Sequence, residues 1–187
     1  MRILLVTLVL FISQVVTASQ LVSDESVLNI ISTKKGNIAE IHSFSALTGS
    51  LSDSGAIKVS VPLASINTGI GIRDQRMREF LFNIKLFPTA TFTANIDLSA
   101  IEQLRLGELA ELAVDGQISM NNLQAKALVN VVVVRQLDGS LIVATKQPFI
   151  INASDFGYID GINKLKELAA LPSISTAVPV TFSVVFN

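Results

Sequence analysis

Two features of this chain carry side chains that could do chemistry. One is His42, the single histidine. The other is the run Arg73, Asp74, Arg76 and Arg78, with Thr68 just ahead of it. A lone histidine rules out a histidine-based metal cluster, and the absence of Cys removes thiol catalysis and every Cys-based metal site. A Ser–His–Asp triad could use only His42, and no G-x-S-x-G elbow occurs. His42 sits in the strand-like run Ile41–Phe44. There, between apolar Ile41 and Phe44, it either hydrogen-bonds within or beside the wall of the fold or contacts a ligand.

The charged run reads as a short helix over 72–82. Arg73 and Arg76 are three residues apart and lie side by side, while Asp74 and Arg78 are four apart and can pair. Two readings follow. The run is a solvated face with one weak ion pair, or Arg73 or Arg76 turns to a cavity mouth and binds an oxygen, diphosphate or carbonyl of a ligand. A buried arginine needs a carboxylate, for which Asp74 and Asp155 are available. Next come Phe80, Leu81, Phe82, Leu86, Phe87 and Phe92, an apolar patch that either packs a core or lines a cavity in part. Pro88 presets an extended entry to the following strand. Gly69-Ile70-Gly71 is no phosphate loop, since the loop's Lys and Ser/Thr are missing. Asn152-Ala153-Ser154 is formally a glycosylation sequon.

The elements that must position these residues are mostly strands. Ile57, Val59, Val61 and Leu63 alternate with polar residues, as do Phe92, Ala94, Ile96 and Leu98. Leu112, Val114, Ile118 and Met120 form another such series, and Phe182, Val184 and Phe186 a fourth. Less regular strands are expected over 27–32, 37–50, 124–135 and 141–151. Val131–Val134 is apolar on both faces, which suits a strand covered outside or paired with another chain. Asp138-Gly139 is a strong hairpin signal, and Asn121-Asn122 marks another turn. Helical insertions are expected over 72–82 and 162–170, with a further turn over 99–104. The sum is an all-β chain of about eight antiparallel strands in one domain. Eight strands form a sandwich or a barrel just wide enough for one small ligand.

Composition bounds the partners. Fourteen Lys and Arg face fifteen Asp and Glu, too weak a balance for nucleic acid or polybasic membrane docking. Hydrophobic residues make up 50% of the chain against 16% charged, more than an ordinary core requires. A large apolar interior with a cavity accounts for that excess, and so does a self-associating surface. Part of it is the N-terminus. Arg2, the apolar run 3–12 and Val16-Thr17-Ala18 read as a signal peptide over 1–18, too short to span a bilayer, leaving a mature domain over 19–187. No Cys follows the cleavage site to carry a lipid anchor, so an exported, periplasmic or secreted, protein without a transmembrane helix is expected.

As an ordered set, these motifs resemble the YceI-like, polyisoprenoid-binding family. The matching residues are His42-Ser43-Phe44 and Gly49, Ser65-Ile66-Asn67-Thr68, Arg73-Asp74, Arg78, Phe80-Leu81 and Phe87-Pro88-Thr89-Ala90-Thr91-Phe92. Gly116-Gln117-Ile118-Ser119-Met120, Ser154-Asp155-Phe156-Gly157 and Val178-Pro179-Val180-Thr181-Phe182 complete the set. Two departures concern head-group contacts: Asn122-Leu123-Gln124 stands where many relatives have Gly-Val-Thr, and Ala153 where many have Arg. The resemblance implies an extended, lipocalin-like, eight-stranded antiparallel barrel. It also implies a non-catalytic carrier that holds a polyprenyl or quinone-like lipid non-covalently, with no covalent cofactor. The ligand-binding set is then His42, Phe44, Thr68, Arg73, Asp74, Arg76, Phe80, Leu81, Phe87, Phe92, Asp155 and Phe156. A filled barrel serving as an envelope interaction module, including a homodimer, is the alternative. A hydrolase or isomerase using His42 and a nearby Asp is a third reading.

Overall fold

The computed structural model describes residues 18–187. The expected signal peptide over 1–18 lies outside them except for Ala18. The chain forms one antiparallel sheet whose eleven strands curl around an apolar interior. The strands are β1 (Ser19–Gln20), β2 (Val27–Lys34), β3 (Ile38–Phe44), β4 (Thr48–Leu51), β5 (Ala56–Pro62) and β6 (Thr89–Asn95). They continue as β7 (Leu109–Met120), β8 (Leu123–Arg135), β9 (Leu141–Thr145), β10 (Phe149–Asn152) and β11 (Ala177–Phe186). The order across the sheet is β1-β4-β5-β6-β7-β8-β9-β11-β2-β3, with β10 also paired to β11.

The expected count of eight is corrected to eleven, and the reasons are local. A single 3-10 turn, Ser23–Glu25, separates β1 from β2. Ser45–Leu47 separates β3 from β4, with Ala46 at φ 54°. The run over 141–151 breaks at 146–148 into β9 and β10. The sheet also returns on itself. β1 pairs β4 on one side, and on the other Gln20 and Asn187 exchange backbone hydrogen bonds, each 3.0 Å.

The period-2 pattern puts alternate side chains inside. Val129, Val131 and Val133 of β8 are buried, whereas Val132 and Val134 are half-buried on the outer face. The β7–β8 hairpin turns on Asn121 and Asn122, both with positive φ, and Gly139 at φ 92° serves the next hairpin. Gly116 of β7 has a packing reason. A Cβ there would lie 2.3 Å from Cζ of Phe92 and 2.7 Å from the Thr93 carbonyl oxygen. The absence of that carbon makes room for the Phe92 ring over Gly116.

Among the described residues three α-helices decorate the sheet: α1 (Gly71–Arg76), α2 (Ser99–Glu102) and α3 (Ile159–Leu168). α1 does not continue as a regular helix to residue 82. It passes into a π turn, Met77–Leu81, closed by the Phe82 N–H donating to the Met77 carbonyl at 2.9 Å. α3 packs on that turn through Gly161, where a Cβ would meet the Phe80 carbonyl oxygen at 2.7 Å and Leu81 Cα at 2.9 Å.

Candidate ligand cavity and its vestibule

β2 and β3 carry a gradient of polarity along one face. Their register pairs Leu28 with Phe44, Ile30 with His42, and Ser32 with Glu40, and Lys34 lies beyond Ser32 on the same face. The face is therefore apolar at one end and charged at the other. Two cavities follow this division.

The first, of about 240 Å³, occupies the interior of the curled sheet, and its wall presents no polar surface. Strands β2 to β11 all contribute to it, including Phe44, Val61, Phe92, Val114, Val131 and Phe182. The expectation of an apolar interior with a cavity is met, since the space inside the curled sheet is not packed solid. Tyr158 also lines it. Its ring stands edge-on to Phe82 at 5.8 Å, and Phe82 stands edge-on to Phe44 at 6.0 Å. The Tyr158 hydroxyl is buried without a hydrogen-bond partner among the described residues, and desolvation pushes its pKa up to about 12. It is a neutral hydroxyl at any physiological pH.

The second cavity, of about 300 Å³, lies under α1 and α3. Ile30, Leu81, Ile162 and Val178 line both cavities, so the second is a vestibule adjoining the first across these four residues. Its polar lining comes from Ser32, Lys34, Glu40, His42, Arg73, Arg76 and Ser175. Arg73 sews α1 to the sheet: Nη1 donates to Oε2 of Glu40 and Nη2 to the Thr68 carbonyl, each at 2.7 Å. Lys34 Nζ stands 2.7 Å from the same Glu40 oxygen. The hydrogen bond from Lys34, against some desolvation and with help from the Arg73 charge, holds the Glu40 carboxyl below its ordinary pKa. His42 is 3% exposed, and its Nδ1 has no partner among the described residues. Burial, reinforced by the Arg73 charge, lowers its pKa and favours neutral imidazole.

The turn ahead of α1 is built by Asp74. Its Oδ1 accepts the Thr68 N–H at 2.8 Å and the Thr68 hydroxyl at 2.5 Å. Asp74 therefore does not pair with Arg78, whose Nη2 donates to the Ile66 carbonyl at 3.1 Å. The segment is tied to β3 by Ser43 and Asn67, which exchange backbone hydrogen bonds of 3.0 and 2.9 Å.

Of the residues singled out in the sequence, Phe44, Leu81 and Phe92 meet in the apolar cavity, and His42, Arg73, Arg76 and Leu81 in the vestibule. Thr68 and Asp74 support the vestibule without lining it. Phe80, Phe87, Asp155 and Phe156 line neither cavity. Phe80 lies on the exposed side of the π turn at 38% exposure, Asp155 is exposed, and Phe87 is half-buried. Phe156 is 1% exposed, and its carbonyl accepts from Asn121 Nδ2. The carboxylate partner of Arg73 is Glu40, neither Asp74 nor Asp155. Glu40 and Lys34 were legible only as charges on the inward parity of a strand, two residues from His42 and two from Ser32.

A curled antiparallel sheet around an apolar interior, with a charged vestibule beside it, is an architecture of the lipocalin-like kind. The YceI-like domain model matches residues 17–186, and the chain belongs to that family. A polyisoprenoid-binding domain from Saccharophagus degradans, implicated in plant cell wall breakdown, is 33% identical with a TM-score of 0.87, over 92% of this chain and 98% of that one. Burkholderia cenocepacia BcnA superposes with a TM-score of 0.67 at 16% identity, over 88% and 98% of the two chains. The Campylobacter jejuni YCEI protein does so at 0.55 and 15%, over 78% and 84%. The latter two likenesses speak to fold alone. No curated protein matches the chain. Among the described residues no three His, Cys, Asp or Glu side chains gather as a metal site would require, and no helix is long and apolar enough to cross a membrane.

Proposed function

We propose that this protein is an exported, non-catalytic carrier of an isoprenoid-type lipid, polyprenyl or quinone-like, whose tail fills the apolar cavity. The observation that carries the reading is the cavity wall, assembled from ten strands without a polar surface. Burying an apolar tail there is worth roughly 25 cal/mol per Å² before the costs of association. The relative from Saccharophagus, described as polyisoprenoid-binding, supports the same ligand class. In this reading the signal peptide is removed before Ser19 and the mature chain works in the periplasm, or outside the cell. The segment 69–82 acts as the lid, because it carries Leu81 across the boundary of the two cavities.

The test is native mass spectrometry of the protein purified from its own envelope fraction, followed by organic extraction and lipid mass analysis. One isoprenoid per chain, on a chain beginning at Ser19, is the expected outcome. A lipid-free protein that also takes up no added polyprenyl lipid would sink the carrier reading.

A further inference from the structure

The two ends of the apolar cavity are closed differently. One end meets the vestibule at Ile30, which pairs with Val180 of β11. The other lies further along β11, where Phe186 pairs with Leu141 at the start of β9. Between Val180 and Phe186 the strand covers about 20 Å at roughly 3.3 Å per residue. The far end is crossed by the connection from β6 to β7, which carries α2. That connection leaves the sheet where the Ile96 N–H donates to the Gly55 carbonyl at 3.0 Å, and rejoins it where the Gly107 N–H donates to the Arg135 carbonyl at 2.7 Å. Asp97 starts the turn, its Oδ1 accepting the Ser99 N–H at 2.9 Å. One turn of helix then carries Ile101 inward. Ile101 is 5% exposed and lines the cavity, whereas Ser99, Ala100 and Glu102 on the same turn are exposed. Arg135, the last residue of β8, ties this turn down: its Nη2 donates to the Ile101 carbonyl at 3.3 Å. Arg135 forms no ion pair among the described residues, and its Nε is buried without a partner there, so its side chain spends its one hydrogen bond on α2.

We infer that Ile101 is the floor of the cavity and sets the length of tail the protein accepts, with Arg135 as the positioning residue that holds the floor in place. The inference rests on the carrier reading and adds to it a determinant of tail length. A closed apolar pocket discriminates by size, since one methylene too many costs roughly 10- to 200-fold in binding. The misfit forces packed side chains off their rotamers. Ile101 is suited to that part because it belongs to a single helical turn and to no ladder, so its side chain can change size without shifting strand register. The side wall cannot measure length, because its residues repeat along the strands; a floor can, because the tail ends on it.

The experiment measures how a graded series of polyprenols, lengthened one isoprene unit at a time from geraniol, binds the delipidated full-length mature protein in competition with a fluorescent polyprenyl probe. Affinity for the wild type should rise with each unit up to one length and fall at least tenfold beyond it. Ile101→Ala should move that optimum to a longer tail and Ile101→Phe to a shorter one. Opposite shifts from a smaller and a larger side chain are a result that misfolding cannot produce. Arg135→Gln should leave the optimum in place and reduce the fall beyond it several-fold, because a loosened floor yields to the extra unit. An optimum that moves in neither Ile101 variant, or a wild-type affinity that keeps rising with length, overturns the floor and leaves the carrier standing. Uptake of no polyprenyl lipid of any length overturns both.

Discussion

The apolar cavity and the vestibule meet at Ile30, Leu81, Ile162 and Val178, but they are held together differently. The cavity is a property of the sheet. Its wall is set by strand register, repeated over Val59, Phe92, Val114, Val131 and Val184, and each residue is fixed by its neighbours on the ladder. The vestibule is a property of long-range side-chain contacts. Arg73 reaches Glu40 across 33 residues of sequence, and Arg76 reaches Leu168 across 92. One region presents no polar surface; the other is assembled around polar side chains.

The sharpest way to break this division is to put vestibule chemistry into the cavity. Val131 is 3% exposed and faces the apolar interior. Val131→Asp places a carboxylate where no partner exists, and an uncompensated buried charge costs about 3–5 kcal/mol by analogy with broken buried pairs. Chemical denaturation at pH 7 should show a loss of that size. Stability relative to wild type should recover as pH falls, because the new carboxyl binds a proton more tightly folded than unfolded. A change under about 1 kcal/mol at pH 7 would mean that the cavity is wet.

A smaller effect separates the regions at their boundary. Gly161→Ala puts a methyl against the Phe80 carbonyl oxygen and Leu81 Cα, so α3 must lift from the π turn. Overpacking of this kind costs about 1–3 kcal/mol. Because the strain falls on Leu81, the exchange rate of a bound fluorescent lipid should rise more than its equilibrium affinity falls. Gly116→Ala, against Phe92 inside the sheet, should show the opposite balance, with lower affinity and a less altered rate. Identical behaviour in the two variants would dissolve the distinction between wall and lid.

The same division explains what could be read in the sequence. Alternation is a local, repeated signal, so the inward series through Ile57–Leu63, Leu112–Met120 and Phe182–Phe186 was visible without coordinates. So were the Asn121-Asn122 and Asp138-Gly139 turns, whose backbone demands few residue types meet. The strand break at Ser45–Leu47 was not visible, because apolar alternation resumes beyond it, and β1 is too short, at two residues, to show a period. Arg73 and Arg76 stood out as charges, yet their partners depend on how α1 docks on β3, a contact with no sequence period. Phe80 and Phe87 entered the ligand set through the family motifs that contain them. The π turn sends Phe80 outward instead, since its extra residue rotates the side chains that follow.

The gentlest probe is pH, and it resolves two groups in the vestibule separately. His42 has an ordinary value of 6.5 that burial lowers, so the unfolded chain binds the proton more readily than the folded one. Its contribution is therefore fully present above pH 6.5 and is lost as pH falls through the lowered folded value. Glu40 obeys the same sign in a more acidic window, with stability present above its ordinary value of 4.5 and lost as its lowered folded pKa is crossed. Wild-type stability should decline in two stages on acidification. His42→Gln should flatten the first stage and leave the second, and Glu40→Gln should leave the first and shrink the second, to which Asp97, Glu108 and Asp138 also contribute. The Glu40 step should also fade in high salt, because its side chain is 32% exposed and its ion pairs with Lys34 and Arg73 are partly screened. The His42 step should persist there, since desolvation, not a screened charge, dominates it. Salt sensitivity in the first stage instead of the second would reverse the assignment of burial to His42 and ion pairing to Glu40.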